Sequence, residues 1–164
     1  MEATALATKT SEIASHDVGI LETPPKSNLG PRIEQYQDYT GIPHGSAYCA
    51  SACSLWVHEA AAELGVAPQF KTAGSALHLW SNNPDLQIAP ADLTPDMLPV
   101  VGINIDDDKI HGHAFLVVGM DDTGKLQTVD PNSDPQGSRE GTGVWALDRR
   151  TTSDSNRVGY VRIA

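Results

Sequence analysis

A cysteine, Cys49, stands near the start of the segment HGSAYCASACSLWVHEAAAELG, residues 44–65. Ser46 is a good N-cap and Gly65 a good C-cap, so the segment is predicted to form a helix with Cys49 in its first turn. Free backbone N–H groups and the positive end of the helix dipole would favour a thiolate there. Cys49 is therefore a candidate nucleophile. Cys53 falls within the apolar face of the same helix and is expected to pack in the core.

A histidine would have to activate this thiol. A thiol with an ordinary pKa near 8.5 is only about 3% thiolate at pH 7, and lowering that pKa by two units takes about 2.7 kcal/mol. A helix N-terminus supplies about 0.3–1 kcal/mol, and at best about 2 kcal/mol. The remainder must come from a neighbouring imidazolium, as in other cysteine–histidine pairs.

The segment HGHAFLVVG places His111 and His113 just before an apolar strand. Residues two apart share one face of a strand. His113 opens the apolar run and is the better candidate base, because the strand fixes its backbone, whereas His111 follows the acidic sequence DDDK. The alternative is a pair of surface histidines at the mouth of the strand. His58 lies on the cysteine helix, too far along it to reach Cys49.

A third group is expected to orient the imidazole, and the sequence VDPNSDP offers Asp130 and Asn132 at the end of the next strand. A two-residue hairpin around Thr123 and Gly124 would put both side chains on the face that carries His113. Asn132 would then lie diagonal to His113, and Asp130 one pair further away, so this register favours Asn132. The alternative is that these residues only end the strand, since they favour turns.

The composition of the 164 residues limits the classes of function. A chain that is 40% hydrophobic and 20% charged is typical of one globular domain. Its net charge of -10 argues against nucleic-acid or anionic-membrane binding, and no apolar run is long enough for a transmembrane helix. Two cysteines four residues apart on one helix do not make a disulfide framework.

The order of the predicted elements indicates an α+β fold, with N-terminal helices packed on a C-terminal antiparallel β-sheet. Residues 1–29 are polar and are expected to form a loose arm ahead of a domain at 30–164. The segments RIEQYQDYTGI and SALHLW are expected to add helices to the one that carries the cysteines. From residue 100 onward the pattern predicts strands, in the segments VVGINI, HAFLVVGM, KLQTVD, GVWALD and RVGYVRI.

Three blocks of the sequence resemble, in order, those of the CHAP amidases, which are cysteine, histidine-dependent amidohydrolases and peptidases. The blocks are GSAYCASACSLWV, GHAFLVVG and TVDPNSDPQGSREGTGVWALDRR. They match an aromatic–Cys pair that opens a helix, a Gly-His pair that opens a strand, and an acidic residue followed two positions later by Asn. The resemblance extends over most of the chain, about residues 27–163.

The resemblance implies a papain-like fold that hydrolyses amide bonds of bacterial peptidoglycan, as an amidase or an endopeptidase, without a cofactor or metal. It assigns Cys49 as the nucleophile and His113 as the base and then the acid. It makes Asp130, where the family more often has Glu, the third member beside the imidazole, and Asn132 the accompanying Asn. Because the hairpin register favours Asn132 instead, both residues are kept as candidates.

In such a hydrolase the Cys49 amide would bind the oxyanion together with a second donor, for which Tyr36, Tyr39 and Tyr48 are candidates. A different class of function is a zinc-binding module, because Cys49, Cys53, His111 and His113 are four good ligands. A third is a catalytically inactive binding domain of the same fold. The sequence DDDK lacks the spacing and the glycine of a calcium loop and is expected to be a solvated turn.

The N-terminus has no basic segment followed by an apolar core, so we expect no secretory signal. We therefore expect a protein that is made in the cytoplasm and reaches the bacterial cell wall by other means. A dedicated delivery machine would make it an antibacterial effector toxin, with an immunity protein that plugs its cleft, and a membrane pore would make it a phage lysin. The effector is preferred, because an acidic protein would not cling to an anionic wall.

Overall fold

The computed structural model of the protein describes residues 4–136 and 141–164. Within these residues the predicted α+β fold is confirmed, because four helices precede a six-stranded sheet. The helices are α1 (Ala5–Asp17), α2 (Pro31–Thr40), α3 (Cys49–Leu64) and α4 (Ala76–Ser81). The strands are β1 (Gln87–Ile88), β2 (Val100–Ile105), β3 (Gly112–Met120), β4 (Lys125–Ser133), β5 (Gly143–Thr151) and β6 (Arg157–Arg162).

The sheet is antiparallel throughout, in the order β1–β6–β2–β3–β4–β5. The five strands predicted from residue 100 onward are confirmed, and β4 continues beyond the predicted KLQTVD to Ser133. Strand β3 lies in the middle of the sheet and is buried on both faces. Leu116 on one face joins the core under the helices, whereas Phe115 on the other joins a smaller apolar cluster. This central position fixes the backbone next to His113.

Helix α3 is the central element of the helical layer. It packs against α1 and α2 and, on its other side, against β3 and β4. Trp56 of α3 and Tyr36 of α2 are fully buried and meet edge to face, with ring centroids 6.1 Å apart. Because burying one large apolar side chain contributes about 1.5–3 kcal/mol, this packing holds α3 firmly. The first turn of α3 therefore has a defined position over the sheet.

The ends of α3 confirm one predicted cap and correct the other. Gly65 ends the helix with a left-handed φ of 65°, as predicted. Ser46 is not the N-cap, because that position is occupied by Tyr48, which makes no side-chain capping bond. The Ser46 amide instead donates to Pro43 in a preceding turn. Cys49 is nevertheless the first residue of the helix, so its predicted place in the first turn is confirmed.

The expectation of a loose N-terminal arm is wrong for the part of residues 1–29 that the structure describes. Helix α1 is capped by Thr4, whose hydroxyl accepts from the Ala7 amide at 3.0 Å, and it packs against α3. Small and apolar residues at helical spacing form its buried face, namely Leu6, Ala7, Thr10 and Ala14. Polar residues elsewhere on the helix hide this pattern in the sequence. Because α1 packs against α3, residue 30 is not a structural boundary.

The segment that follows α1 also belongs to the folded body. The Gly19 amide donates to Val144 of β5 at 2.9 Å, and the Val144 amide donates back to Ile20 at 2.9 Å. The Glu22 amide then donates to Thr142 at 2.9 Å. This segment therefore extends along the edge of the sheet beside β5.

Asp17 at the end of α1 joins the three N-terminal helices. Its Oδ2 accepts from Arg32 at 2.9 Å, from the Tyr36 hydroxyl at 2.7 Å and from the Trp56 indole at 2.7 Å. We expect Asp17→Ala to lower the free energy of unfolding by about 3 kcal/mol, because it leaves the buried Tyr36 and Trp56 donors without their acceptor and leaves the half-buried Arg32 with Glu59 as its remaining carboxylate partner. Urea denaturation measures the change.

The control for this variant is Asp122→Ala, which removes an exposed carboxylate in the β3–β4 turn. It is expected to change the free energy of unfolding by about 0.5 kcal/mol or less. Equal losses in the two variants would show that the Asp17 carboxylate does not join the helices.

The β3–β4 hairpin differs from its predicted register. The turn has three residues, not two, because Asp121 pairs with Lys125 and Gly124 adopts a left-handed φ of 81°. A three-residue turn alone would have moved Asp130 to the wrong face of the sheet. The pairing shifts again between Val117 and Gly119, where a bulge on β3 restores the face. The Asp130 side chain thereby comes to lie beside His113.

Candidate active site

A cavity of about 560 Å³ lies where the first turn of α3 meets the ends of β3 and β4. Cys49, His113 and Asn132 line it, and Asp130 is fully buried behind His113. The helical layer supplies the cysteine, and two neighbouring strands of the sheet supply the other three side chains. The structure thus brings together all four residues that the sequence suggested.

Cys49 and His113 both line the cavity and lie close enough for the imidazole to act on the thiol. Burial by itself would raise the pKa of the Cys49 thiol. The hydrogen bond and charge of His113, with the backbone amides of Ala114 and Ala50, outweigh burial and hold that pKa below its ordinary value. Cys49 is 7% exposed and is one of the residues that line the cavity.

The imidazole of His113 interacts with the thiol and is hydrogen-bonded to a carboxylate. Its Nε2 lies 2.9 Å from Oδ1 of Asp130, which leaves Nδ1 for the sulfur of Cys49. Burial would lower the pKa of His113, but the bonds to Asp130 and Cys49 raise it to about 9. A lowered thiol pKa and a raised imidazole pKa together favour a thiolate–imidazolium pair near neutral pH.

Asp130 is held as an anion by groups on both sides. Arg150 of β5 donates to its Oδ1 at 2.8 and 3.0 Å, and the Thr128 hydroxyl donates to its Oδ2 at 2.5 Å. Burial would raise the pKa of Asp130, but His113 and Arg150 hold it well below its usual range. The carboxylate therefore has no rotational freedom and presents one fixed oxygen to the imidazole.

Phe115 supports the imidazole and the guanidinium from one side. The His113 ring stacks on the Phe115 ring with centroids 5.8 Å apart, and Arg150 lies over the same ring at 4.3 Å. A cation over an aromatic face is attracted by the ring quadrupole. Arg150, Thr128 and Phe115 could not be identified from the sequence, because each looks like an ordinary strand residue until the register of three strands is known.

Asn132 faces the cavity but does not orient the imidazole. It adopts a left-handed φ of 53°, and its buried Oδ1 has no hydrogen-bond partner among the described residues. The bond to His113 comes from Asp130. The register that favoured Asn132 is therefore wrong, because it assumed a two-residue turn and a pairing of β3 with β4 without a bulge.

The tyrosines suggested as oxyanion donors point elsewhere. The Tyr36 hydroxyl donates to Asp17 at 2.7 Å, and the Tyr48 hydroxyl donates to Glu22 at 3.1 Å. Tyr39 stacks on His58, with ring centroids 4.7 Å apart. None of the three tyrosines lines the cavity, as far as its lining is described. The Cys49 amide, at the first position of α3, remains a candidate donor to an oxyanion.

The four side chains of the zinc alternative do not form a metal site. Cys53 is 1% exposed, and burial, followed by the charges of Cys49 and Asp130, raises its pKa well above the ordinary value. His111 is exposed, and its Nδ1 pairs with Asp108 at 2.5 Å. Among residues 4–136 and 141–164, no group of three or more His, Cys, Asp or Glu side chains is arranged to hold a metal ion.

Part of the third block of the resemblance, Gly-Ser-Arg-Glu at 137–140, lies outside the described residues. Gly141, which follows it, comes very close to the backbone of Asn132. A Cβ at Gly141 would lie 2.2 Å from the Asn132 carbonyl carbon, so only glycine fits there. The segment that returns to β5 therefore passes directly behind the Asn132 bend.

Among the described residues, no helix combines the length and the apolar character that crossing a bilayer requires. Neither a scan against models of known protein families nor a search of curated proteins finds a significant match to this chain. The function is accordingly inferred from the chemistry of the cavity.

Proposed function

We propose that the protein is a cysteine hydrolase that cleaves amide bonds. The observation that carries this proposal is the placement of Cys49 and His113 in the lining of one cavity, with Asp130 hydrogen-bonded to the imidazole from behind. A nucleophile, a base and a group that orients the base are the parts that covalent amide hydrolysis requires. A core histidine would need neither an anionic partner nor contact with a thiol of lowered pKa.

The reaction follows from the protonation states of the pair. The Cys49 thiolate attacks the amide carbonyl, and the Cys49 amide donates to the oxygen on which negative charge develops. The imidazolium of His113 gives its proton to the leaving nitrogen as the carbon–nitrogen bond breaks, which leaves a thioester and a free amine. His113, now neutral, removes a proton from water, whose oxygen attacks the thioester and releases a carboxylic acid and the thiolate.

For the substrate, we propose the peptide part of bacterial peptidoglycan, cleaved by a papain-like domain of the CHAP type. Support comes from the places of the resembling motifs. Tyr48-Cys49 opens α3, Gly112-His113 opens β3, and Asp130 and Asn132 lie at the end of β4. These three places surround one cavity. An antibacterial effector with an immunity protein, or a lysin, would be the biological setting of such a hydrolase.

Digestion of purified peptidoglycan, with mass spectrometry of the released fragments, tests this function. We expect fragments that gain one water at an amide bond, and the masses identify the bond. Cys49→Ala is expected to lower the rate by about 10³-fold or more, because no other group replaces the nucleophile. Cys53→Ala is the matched control, because Cys53 is a buried thiol one turn away on the same helix and is expected to retain activity.

Two results would contradict the proposal. Hydrolysis that persists in Cys49→Ala would exclude the thiolate as the nucleophile. Specific binding of peptidoglycan without any cleavage, by protein whose Cys49 is alkylated readily, would favour the inactive binding domain instead.

A further inference from the structure

We propose that Arg149 binds a free carboxylate of the substrate, so that the cavity selects an amide bond that lies next to a carboxylate. This inference deepens the proposed amide hydrolysis and rests on it for the identity of the substrate. The attraction of a carboxylate to Arg149 does not depend on that function, and a separate measurement tests it.

A bulge in β5 brings two consecutive arginines to the same cavity. The pairing of β5 with β4 shifts between Leu126 and Thr128. At this shift two residues of β5, Asp148 and Arg149, lie opposite one residue of β4. Successive side chains of a regular strand point to opposite faces, yet Arg149 and Arg150 both line the cavity. A bulge can redirect a side chain in this way, and bulges are common next to active sites.

The two guanidinium groups differ in what they bind. Arg150 pairs with the buried carboxylate of Asp130 at 2.8 Å. Arg149 instead donates to two neutral oxygens, the backbone carbonyl of Asp134 at 2.8 Å and the hydroxyl of Ser133 at 2.9 Å. Its contacts within the part of the chain that the structure describes include no ion pair. The charge of Arg149 is therefore not neutralised by a carboxylate of these residues.

The two bonds orient the Arg149 guanidinium without using all of its donors. A guanidinium carries five N–H donors in one plane. The carbonyl of Asp134 binds Nη1 and the hydroxyl of Ser133 binds Nη2, so other donors of the fork remain. The side chain is exposed, so these donors can be reached from the cavity. An oriented guanidinium suits a carboxylate, which accepts charge-assisted bonds from such a group.

The charges around the cavity indicate where a carboxylate would bind. Asp106, directly after β2, lines the cavity on one side, and Arg149 lines it on the side of β5. Strands β2 and β5 flank the β3–β4 pair in the sheet. A carboxylate is repelled by Asp106 and attracted by Arg149, so it would bind on the β5 side. The amide bond that Cys49 attacks would then have its neighbouring carboxylate directed toward β5.

This placement limits the chemical class of the substrate. Within a peptide chain the α-carboxyl groups are themselves part of amide bonds, so most peptide bonds have no free α-carboxylate beside them. A free α-carboxylate occurs next to an amide bond at the last residue of a peptide, and at an acidic residue that is joined through its side chain. Mass spectrometry distinguishes the two sources, because cleavage at the last residue releases a single amino acid.

Alkylation of Cys49 by two reagents of similar size gives a readout that needs no substrate. Iodoacetate carries a carboxylate, and iodoacetamide is its neutral counterpart. We expect Arg149→Gln to lower the ratio of the iodoacetate rate to the iodoacetamide rate about fivefold at low ionic strength. Arg149→Lys keeps the charge and should keep the ratio within about twofold. If Arg149 only held Ser133 in place, both rates would change alike and the ratio would stay constant.

Lys125→Gln is the matched control, because Lys125 is a cation outside the cavity as described and pairs with the exposed Asp148. It should leave the ratio of the two rates unchanged. A ratio that stays constant in Arg149→Gln, or that falls equally in Lys125→Gln, would overturn the inference. Failure of both reagents to modify Cys49 would overturn it as well, because ligands could then not enter the cavity.

Digestion of peptidoglycan before and after amidation of its carboxyl groups, with carbodiimide and ammonia, tests the substrate. We expect the wild type to cleave the amidated polymer about tenfold more slowly, and Arg149→Gln to cleave the two polymers at similar rates. Equal rates in the wild type, or a preference that persists in Arg149→Gln, would overturn the inference. A chain that cleaves neither polymer would refute the proposed function, and the alkylation ratio would still decide whether Arg149 attracts a carboxylate.

Discussion

His113→Ala is expected to slow amide hydrolysis by about 10³-fold, because one side chain acts as the base, the acid and the counterion of the thiolate. The loss should also appear without substrate. At pH 6 a thiol with an ordinary pKa near 8.5 is about 0.3% thiolate. Alkylation of Cys49 at pH 6 should therefore slow by about tenfold or more, even though a more basic thiolate is intrinsically more nucleophilic.

The pH dependence of alkylation and hydrolysis measures this effect. In the wild type, hydrolysis should increase as the thiolate forms on the acid side and decline as the pH passes about 9, where His113 loses its proton and can no longer protonate the leaving amine. In His113→Ala the midpoint of alkylation should move upward, toward or beyond the pKa of a free thiol.

His111→Ala is the matched control, because this exposed histidine also lines the cavity but pairs with Asp108. It should leave the midpoint of Cys49 alkylation unchanged. A midpoint that moves in His111→Ala, or one that stays in place in His113→Ala, would contradict the assignment of the base.

Asp130→Asn is expected to lower both activity and stability. The substitution keeps the shape of the side chain but removes the charge that faces His113 and Arg150. Arg150, whose side chain is 14% exposed, would then be a largely buried cation without its anion, which costs about 3 kcal/mol of the free energy of unfolding. The hydrolysis rate should fall by about 10²-fold, because the imidazole loses the group that orients it.

The sign of the accompanying pH effect follows from the charge. The Asp130 carboxylate helps to raise the pKa of His113 to about 9, so its removal should move the alkaline limb of hydrolysis to lower pH. Urea denaturation and the pH profile of kcat/KM measure the two effects. Asp148→Asn, which breaks an exposed pair with Lys125, should cost at most about 1 kcal/mol and leave the profile unchanged. An alkaline limb that remains near pH 9 in Asp130→Asn would show that the carboxylate does not act on the imidazole.

The candidate nucleophile and base could be found from the sequence because each signal is local. Cys49 follows a turn and begins an apolar helix, and His113 begins an apolar strand, so the helix and strand patterns alone place both. The α+β order is equally local, since the helical segments come before the strands.

Which of Asp130 and Asn132 orients the imidazole could not be decided from a local sequence pattern. It depended on a three-residue turn and a bulge near Val118, and each of these moves the pairing by one residue. The alternation of hydrophobic residues does not reveal an extra residue in a turn or a bulge, so the register could not be predicted from the sequence. Arg150 could not be identified for a related reason, because it acts through a contact with a residue that is distant in the sequence.

The division of the site between two layers has a consequence for handling and transport of the chain. The sulfur belongs to α3, whereas the imidazole and its carboxylate belong to the sheet, and no short peptide contains both. If α3 separates from the sheet, the Cys49 thiol has ordinary reactivity and His113 has no thiol to activate. A chain in extended form would therefore lack the proposed hydrolase activity, and would gain it only once the helical layer and the sheet pack together.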